Sequence, residues 1–359
     1  MKDVDKYYNR YSSTVQFAGS HYDRLRIKKP DEFDMDVVIG LPLSIRHNPF
    51  NIDDSDFIIE PKDAGYVHLK MGKQFKNLPM RDSLDWDINK TAFKWKDEND
   101  YLLRSKFTDW FKGVVVRALN TFDRNVFSQP IYVVNGVVYT IDRSESGPAI
   151  TIKIKNRNFQ MDVDLVPALK FPEDRWPVGP DYRNIPHNCK KDYWMVVPKP
   201  NKNGQCDVSK SRSWRIAMHY QERELMYNTN HLRQSIRLLK KLRDSQGMEK
   251  IASYYIKTLA FWEIERINDI SYWNKNPAEL FKLMVKIFHK AMVDGNIPYY
   301  WNRHNNLIEG INRQLLISYA ARLKNLMDVL EVPSQYKKVA RFLLTQAEFE
   351  DYNKRFLKD

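Results

Sequence analysis

Cysteine is nearly absent: Cys189 and Cys206 are the two thiols in 359 residues. So few leave no disulfide framework and favour a reducing compartment. Long apolar runs are missing too. No stretch approaches the roughly 18 to 20 residues that a membrane-spanning helix needs. The opening residues, MKDVDKYYNRYSSTVQFAG, are polar and aromatic, unlike a secretory leader. Glycine is sparse, at 12 residues, and no internal repeat or low-complexity tract is visible. These absences point to a soluble, cytoplasmic protein.

The chain does hold enough apolar material for a sizeable core, or for two lobes sharing a cleft: 43% of its residues are hydrophobic and 13% aromatic. Its net charge of +13 and pI near 9.4 suit a polyanionic partner, either nucleic acid or an anionic membrane surface. A basic, merely solvated surface is the plainer alternative.

Up to about residue 200, short β-rich runs (DVVIG, IYVVNGVVYTI, AITIKIKN, FQMDVDLV) alternate with turns. Asn135-Gly136 between two β-branched runs predicts a hairpin over 130–141. One long helical segment, 101–122, interrupts the strands. Residues 198–212 are polar and basic and read as a loop or lobe junction. Beyond them, apolar residues at three- and four-residue spacing predict helices near 213–227, 231–245, 248–266, 278–294, 305–329 and 334–353, with Pro298 and Pro333 as punctuation.

The acids carry the chemistry. Residues two apart on a strand share a face, so Glu32, Asp34 and Asp36 align just before the apolar run Val37-Val38-Ile39. Asp162 and Asp164 repeat the device before LVPAL. Close carboxylates repel unless a cation lies between them; a solvated strand would carry the same acids singly. Two strand-borne acid sets fit two divalent cations that activate a hydroxyl and stabilise a leaving pyrophosphate. Gly19-Ser20 adds a turn whose backbone N–H groups and hydroxyl can approach a phosphate. Together these features suggest a nucleotidyltransferase.

Gly19-Ser20, Glu32-x-Asp34 and Asp164 resemble the core of DNA polymerase β-like nucleotidyltransferases. More narrowly, GSHYDRLRIKKPDEFDMDVVI, GPAITIKIKNRNFQMDVDLVPAL, SRSWRIAMHYQEREL, SIRLLKKLRD and ASYYIKT resemble the cyclic GMP-AMP synthase-like receptors of the Mab-21 family. The resemblance implies an α+β, bilobal, polymerase β-like fold. A mixed α/β lobe with a central twisted sheet (1–205) and an all-helical lobe (206–359) would have the active site in the cleft. Glu32, Asp34 and Asp164 would be catalytic and hold two Mg²⁺ or Mn²⁺ ions. Asp36 and Asp162 would lie behind them or in solvent. Gly19 and Ser20 would bind triphosphate, Lys240 would pair with phosphate and Ser253 would hydrogen-bond it. Tyr254 would stack on a base, and Arg215 would face a base edge.

The sequence departs from the mammalian synthase of this family in lacking its zinc thumb of one His and three Cys, so no structural zinc is expected. That loss shifts the implied activator from double-stranded DNA to double-stranded RNA, read through phosphates and 2′-hydroxyls. Arg233, Arg237 and Lys241, with Lys199, Lys202 and Lys210, are the candidate contacts. Only 18 residues precede Gly19, so the family's spine helix is expected to be short or cut. The implied activity is an RNA-triggered synthesis of a cyclic GMP-AMP-type second messenger from ATP and GTP, feeding STING-type signalling. An oligomer on RNA is left open. The alternatives are a linear oligoadenylate synthase-like enzyme and a non-catalytic Mab-21-like RNA-binding scaffold.

Overall fold

Strand β1 (Ser12–Ala18) runs antiparallel to β2 (Glu32–Ile39), and β2 lies parallel to β8 (Phe159–Pro172). The rest of the sheet is ordered β3 (Phe57–Pro61), β4 (Tyr66–Met71), β10 (Ser213–Ala217), β9 (Tyr193–Val197), β8, β7 (Ala149–Asn156), β6 (Val137–Ser146) and β5 (Ile131–Val134). Among the described strands, β2 and β8 are the parallel pair of an otherwise antiparallel sheet. The structure is a computed structural model. It describes residues 1–27, 31–42, 56–62, 65–81, 85–177, 179, 182–201 and 206–356.

The expected hairpin is β5–β6. Asn135 and Gly136 both have positive φ, 50° and 77°, as a two-residue type I′ turn requires. The long helix spans Arg104–Leu119 and buries Phe107, Phe111, Val114 and Val115. Phe107 packs on Trp214 of β10, whose indole N–H donates to the Leu102 carbonyl at 3.0 Å. Val38, Ala168, Met195, Val197 and Ala217 form a buried cluster that ties β2, β8, β9 and β10 together.

The chain divides into two compact units, Met1–Tyr22 with Pro30–Gln221, and Asp23–Lys29 with Glu222–Asp359. A boundary at 205/206 would cut β10 from its neighbours β4 and β9. Two expectations change with it. Residues 207–212 form a helix rather than a loop, and the segment expected as a helix over 213–227 begins as β10 before the short helix His219–Leu225. β10 is buried on both faces but is only five residues long, too short for its alternation to stand out from the helical pattern that follows.

The second unit is predominantly helical, with long helices Asn230–Ser245, Ser253–Ile267, Pro277–Asp294 and Arg313–Leu330 and a small hairpin, Pro298–Tyr299 with Asn302–Asn306. Asn276 and Asn312 cap two of these helices, each side-chain oxygen accepting an N–H of the first turn. The expected helix 334–353 is broken into a 3₁₀ segment, Val339–Leu343 and Gln346–Phe356.

Candidate active site

The β2–β8 register sets Asp34 beside Asp164 and Glu32 beside Asp162. Glu32, Asp34 and Asp164 therefore share one face of two neighbouring strands, which lie about 4.8 Å apart. Glu32 is exposed, while Asp34 and Asp164 are half-buried. Val37, Val38 and Ile39 are fully buried and anchor the strand immediately beyond. The Thr151 hydroxyl donates to Asp164 Oδ1 at 2.5 Å, which fixes that carboxylate.

β1 delivers the Gly-Ser turn to the same place, because Ala18, its last residue, stands opposite Asp34. Gly19 follows with φ +76°, and a Cβ there would lie 1.7 Å from Asp34 Oδ2. Only glycine leaves room for that carboxylate. Gly19 and Ser20 open the short helical turn Gly19–Tyr22, which Phe17 and Tyr22, stacked at 4.4 Å, and His21 against Phe33, at 4.9 Å, hold in place.

Among the described residues, no three His, Cys, Asp or Glu side chains converge closely enough to hold a metal ion. Like-charged carboxylates spread when no cation draws them together. The donor set is nonetheless all oxygen and arrayed by strand register, which suits Mg²⁺ or Mn²⁺. Asp36, expected behind the ligands or in solvent, is buried, with Oδ2 3.0 Å from His219 Nε2. Arg215 is half-buried on β10, between Tyr66 and Val197.

In the helical unit the candidate residues sit in a buried polar network that includes partners the sequence did not suggest. Tyr254 donates its hydroxyl to Glu222 Oε1 at 2.6 Å, and the Trp301 indole N–H donates to the same oxygen at 3.2 Å. Lys257 bridges Glu222 at 3.0 Å and Asp23 at 2.6 Å. Burial alone would pull the Lys257 ammonium down, but the two carboxylates outweigh it and hold its pKa above the ordinary value. The one local clue was a lysine among the buried residues Ile256, Leu259, Ala260 and Phe261, since a charge buried on such a face demands a partner.

Lys240, expected to pair with phosphate, is buried within its unit. It is 6% exposed and donates to the Leu25 carbonyl at 2.7 Å. Burial, aided by Arg243, lowers its pKa to about 8. Ser253 begins the next helix and accepts from the Arg243 guanidinium at 2.6 Å. Arg233 is half-buried, its pKa lowered by burial and then by Arg24, with Arg223 and Asp23 also near. Three guanidiniums around one carboxylate leave positive charge for an added anion such as a phosphate.

The remaining RNA candidates divide plainly. Arg237 and Lys199 are exposed. Lys241 is committed to Glu348, whose carboxyl it holds down to about 2. Lys210 lies 3.6 Å from Asp207, and Lys202 falls outside the described residues. Cys189 is buried and Cys206 exposed. No helix among the described residues is long and apolar enough to cross a membrane.

A Gly-Ser turn closing on strand-borne carboxylates is the apparatus of a nucleotidyltransferase. The chain belongs to the Mab-21 family: residues 21–228 match the Mab-21 protein nucleotidyltransferase domain, and residues 231–325 match the Mab-21 protein HhH/H2TH-like domain. It is 32% identical over 353 residues to a cyclic GMP-AMP synthase-like receptor of Aethina tumida, covering 97% of this chain and 83% of that one. It is 30% identical over 367 residues to a receptor of the same name from Ctenocephalides felis, covering 99% and 82%. A third, from Tribolium castaneum, is 30% identical over 357 residues, covering 98% and 84%.

Proposed function

We propose that the protein is a cytoplasmic nucleic-acid sensor that, on double-stranded RNA, joins ATP and GTP into a cyclic GMP-AMP-type dinucleotide for STING-type signalling. The observation that carries this reading is the in-register pair Asp34 and Asp164, with Gly19 closed against Asp34. The likeness to receptors named for cyclic GMP-AMP synthase supports the product class.

Glu32, Asp34 and Asp164 would hold two divalent ions, which supply Lewis-acid activation of the acceptor hydroxyl and neutralise charge on the donor triphosphate. The chain's own residues do the rest. The Gly19-Ser20 backbone and hydroxyl cradle triphosphate, and Asp164, held by Thr151, directs its carboxylate toward the acceptor. Tyr254 offers its ring to a base while Glu222 fixes its hydroxyl, and Lys240, Ser253 and the Arg24–Arg223–Arg233 group supply phosphate contacts. Arg215 reads a base edge. Two successive transfers give a linear intermediate and then the ring. Exposed Arg237 is the foremost RNA contact of the set, with exposed Lys199 a second candidate.

The test is to incubate the protein with labelled ATP and GTP in Mg²⁺ or Mn²⁺, with double-stranded RNA, double-stranded DNA of equal length, or neither. Nuclease digestion then identifies the products. A nuclease-resistant mixed cyclic product with RNA alone is expected. A ladder of linear adenylates would replace this reading with an oligoadenylate synthase. Absence of product with RNA bound would indicate a scaffold, and equal turnover with both duplexes would remove RNA selectivity.

A further inference from the structure

The sixteen residues Val126–Ile141 carry no charge, in a chain 29% of whose residues are charged. Their centre is the β5–β6 ribbon, with β5 at the edge of the sheet. Its apolar side chains do not fold inward: Tyr132, Val133, Val134, Val137 and Val138 are all exposed. The register pairs Val134 with Val137, Val133 with Val138 and Tyr132 with Tyr139. Successive pairs face opposite sides, so both faces of the ribbon's end are apolar and open. A patch of this kind on a soluble unit marks a contact surface.

Its layering points to one occupant. β7 pairs with β6 as far as Thr140 opposite Lys155, so the ribbon runs on for about 10 Å, at roughly 3.3 Å per residue. From the tip inward come the valine pairs, then the tyrosine pair, then cations. Phe159 packs on Tyr139 at 5.9 Å beside Arg157 in the β7–β8 turn, and Lys155 stands between the uncharged Thr140 and Gln160. This sequence of layers matches an anionic lipid monolayer read outward: acyl chains, the interfacial band that tyrosine favours, and phosphate headgroups.

The other occupants fit less well. A second copy would bring the same cationic collar against itself, and β5 offers only a four-residue edge, Ile131–Val134, far below the roughly 800 Å² per partner of a stable interface. Nucleic acid would engage the collar but has no use for five exposed apolar side chains around the turn. We infer that the β5–β6 ribbon is a peripheral anchor that inserts its valine tip into an anionic lipid surface while Lys155 and Arg157 meet the headgroups.

The full chain is tested by flotation with vesicles of phosphatidylcholine containing phosphatidylserine and with phosphatidylcholine alone. The double variant Val134→Ser/Val138→Ser keeps every charge and should lower partition into the anionic vesicles at least about tenfold, with melting temperature and RNA retention unchanged. Val138→Cys in a Cys206→Ser background, carrying a polarity-sensitive dye, should shift to the blue on anionic vesicles. Failure of the parent chain to float would overturn the anchor. So would equal flotation of the serine variant with an unshifted dye, which leaves surface charge as the cause. A dimer in sedimentation that the serine variant dissolves would assign the ribbon to a second copy instead, and a loss of RNA retention would assign it to RNA.

Discussion

The two units solve opposite problems with the same kinds of side chain. In the sheet unit, carboxylates line one strand face, partly open to solvent, and the backbone register alone brings them together. In the helical unit, Glu222, Lys257 and Lys240 are buried, and each is engaged by a named partner. One arrangement keeps charge available for chemistry; the other holds buried charge with ion pairs at Lys257 and a carbonyl at Lys240. Substitutions of the strand acids should therefore appear in turnover alone, whereas substitution of a buried charge in the second should also appear in stability and its pH dependence.

The sharpest break is Asp164→Asn. It preserves shape and the Thr151 contact while removing a charge that metal binding needs, so turnover should fall on the order of 10³-fold or more. Unfolding by urea should stay within about 0.5 kcal/mol of the parent, because the side chain is only half-buried and loses a like-charged neighbour. Near-normal synthesis would dismantle the acid assignment. Gly19→Ala should act next most strongly, through geometry. Its Cβ would collide with Asp34, and a displacement near 1 Å can cost about 10²-fold in rate. Steady-state kinetics that match the parent would show that the turn is free to move.

The smallest effect belongs to the helical unit. Lys240 has a folded-state pKa of about 8, below its unfolded value near 10.4. Between these values the unfolded chain binds the extra proton, so stability should rise as pH increases through that window. The shift sets an upper bound of roughly 3 kcal/mol on that rise. Lys240→Met should flatten the slope. Urea midpoints measured across pH 8 to about 10.4 check it: parallel profiles for parent and variant would mean Lys240 titrates normally.

The acids were legible because strand alternation is a local signal, and the apolar run after Asp36 announced the buried strand. The Asn135-Gly136 turn was legible for the same reason. β10 was not, because the Ser-Trp-Arg-Ile alternation of Ser213–Ala217 covers only five residues and runs almost directly into the helix His219–Leu225, which masks it. Nor were the partners of Lys257: Glu222 lies 35 residues away and Asp23 lies 234 away. Nothing in local spacing announces contacts of that range. His219 beside Asp36 was missed similarly, since a histidine just beyond an apolar run has no distinctive pattern. The family resemblance supplied Lys240, but its burial against Leu25 became visible only in three dimensions.

The parallel pairing of β2 with β8 also governs when the site can exist. Asp34 and Asp164 are neighbours across two strands but lie 130 positions apart along the chain. A nascent polypeptide emerging from the ribosome cannot assemble these carboxylates until β8 has followed, and the closure of so long a loop is slow compared with the formation of local turns. Fragments ending before residue 159 should therefore lack catalytic competence, however well their own hairpins form. The two carboxylates can meet only once β1 to β7 have been made, and β9, β10 and the helices from Asn230 onward are still to follow.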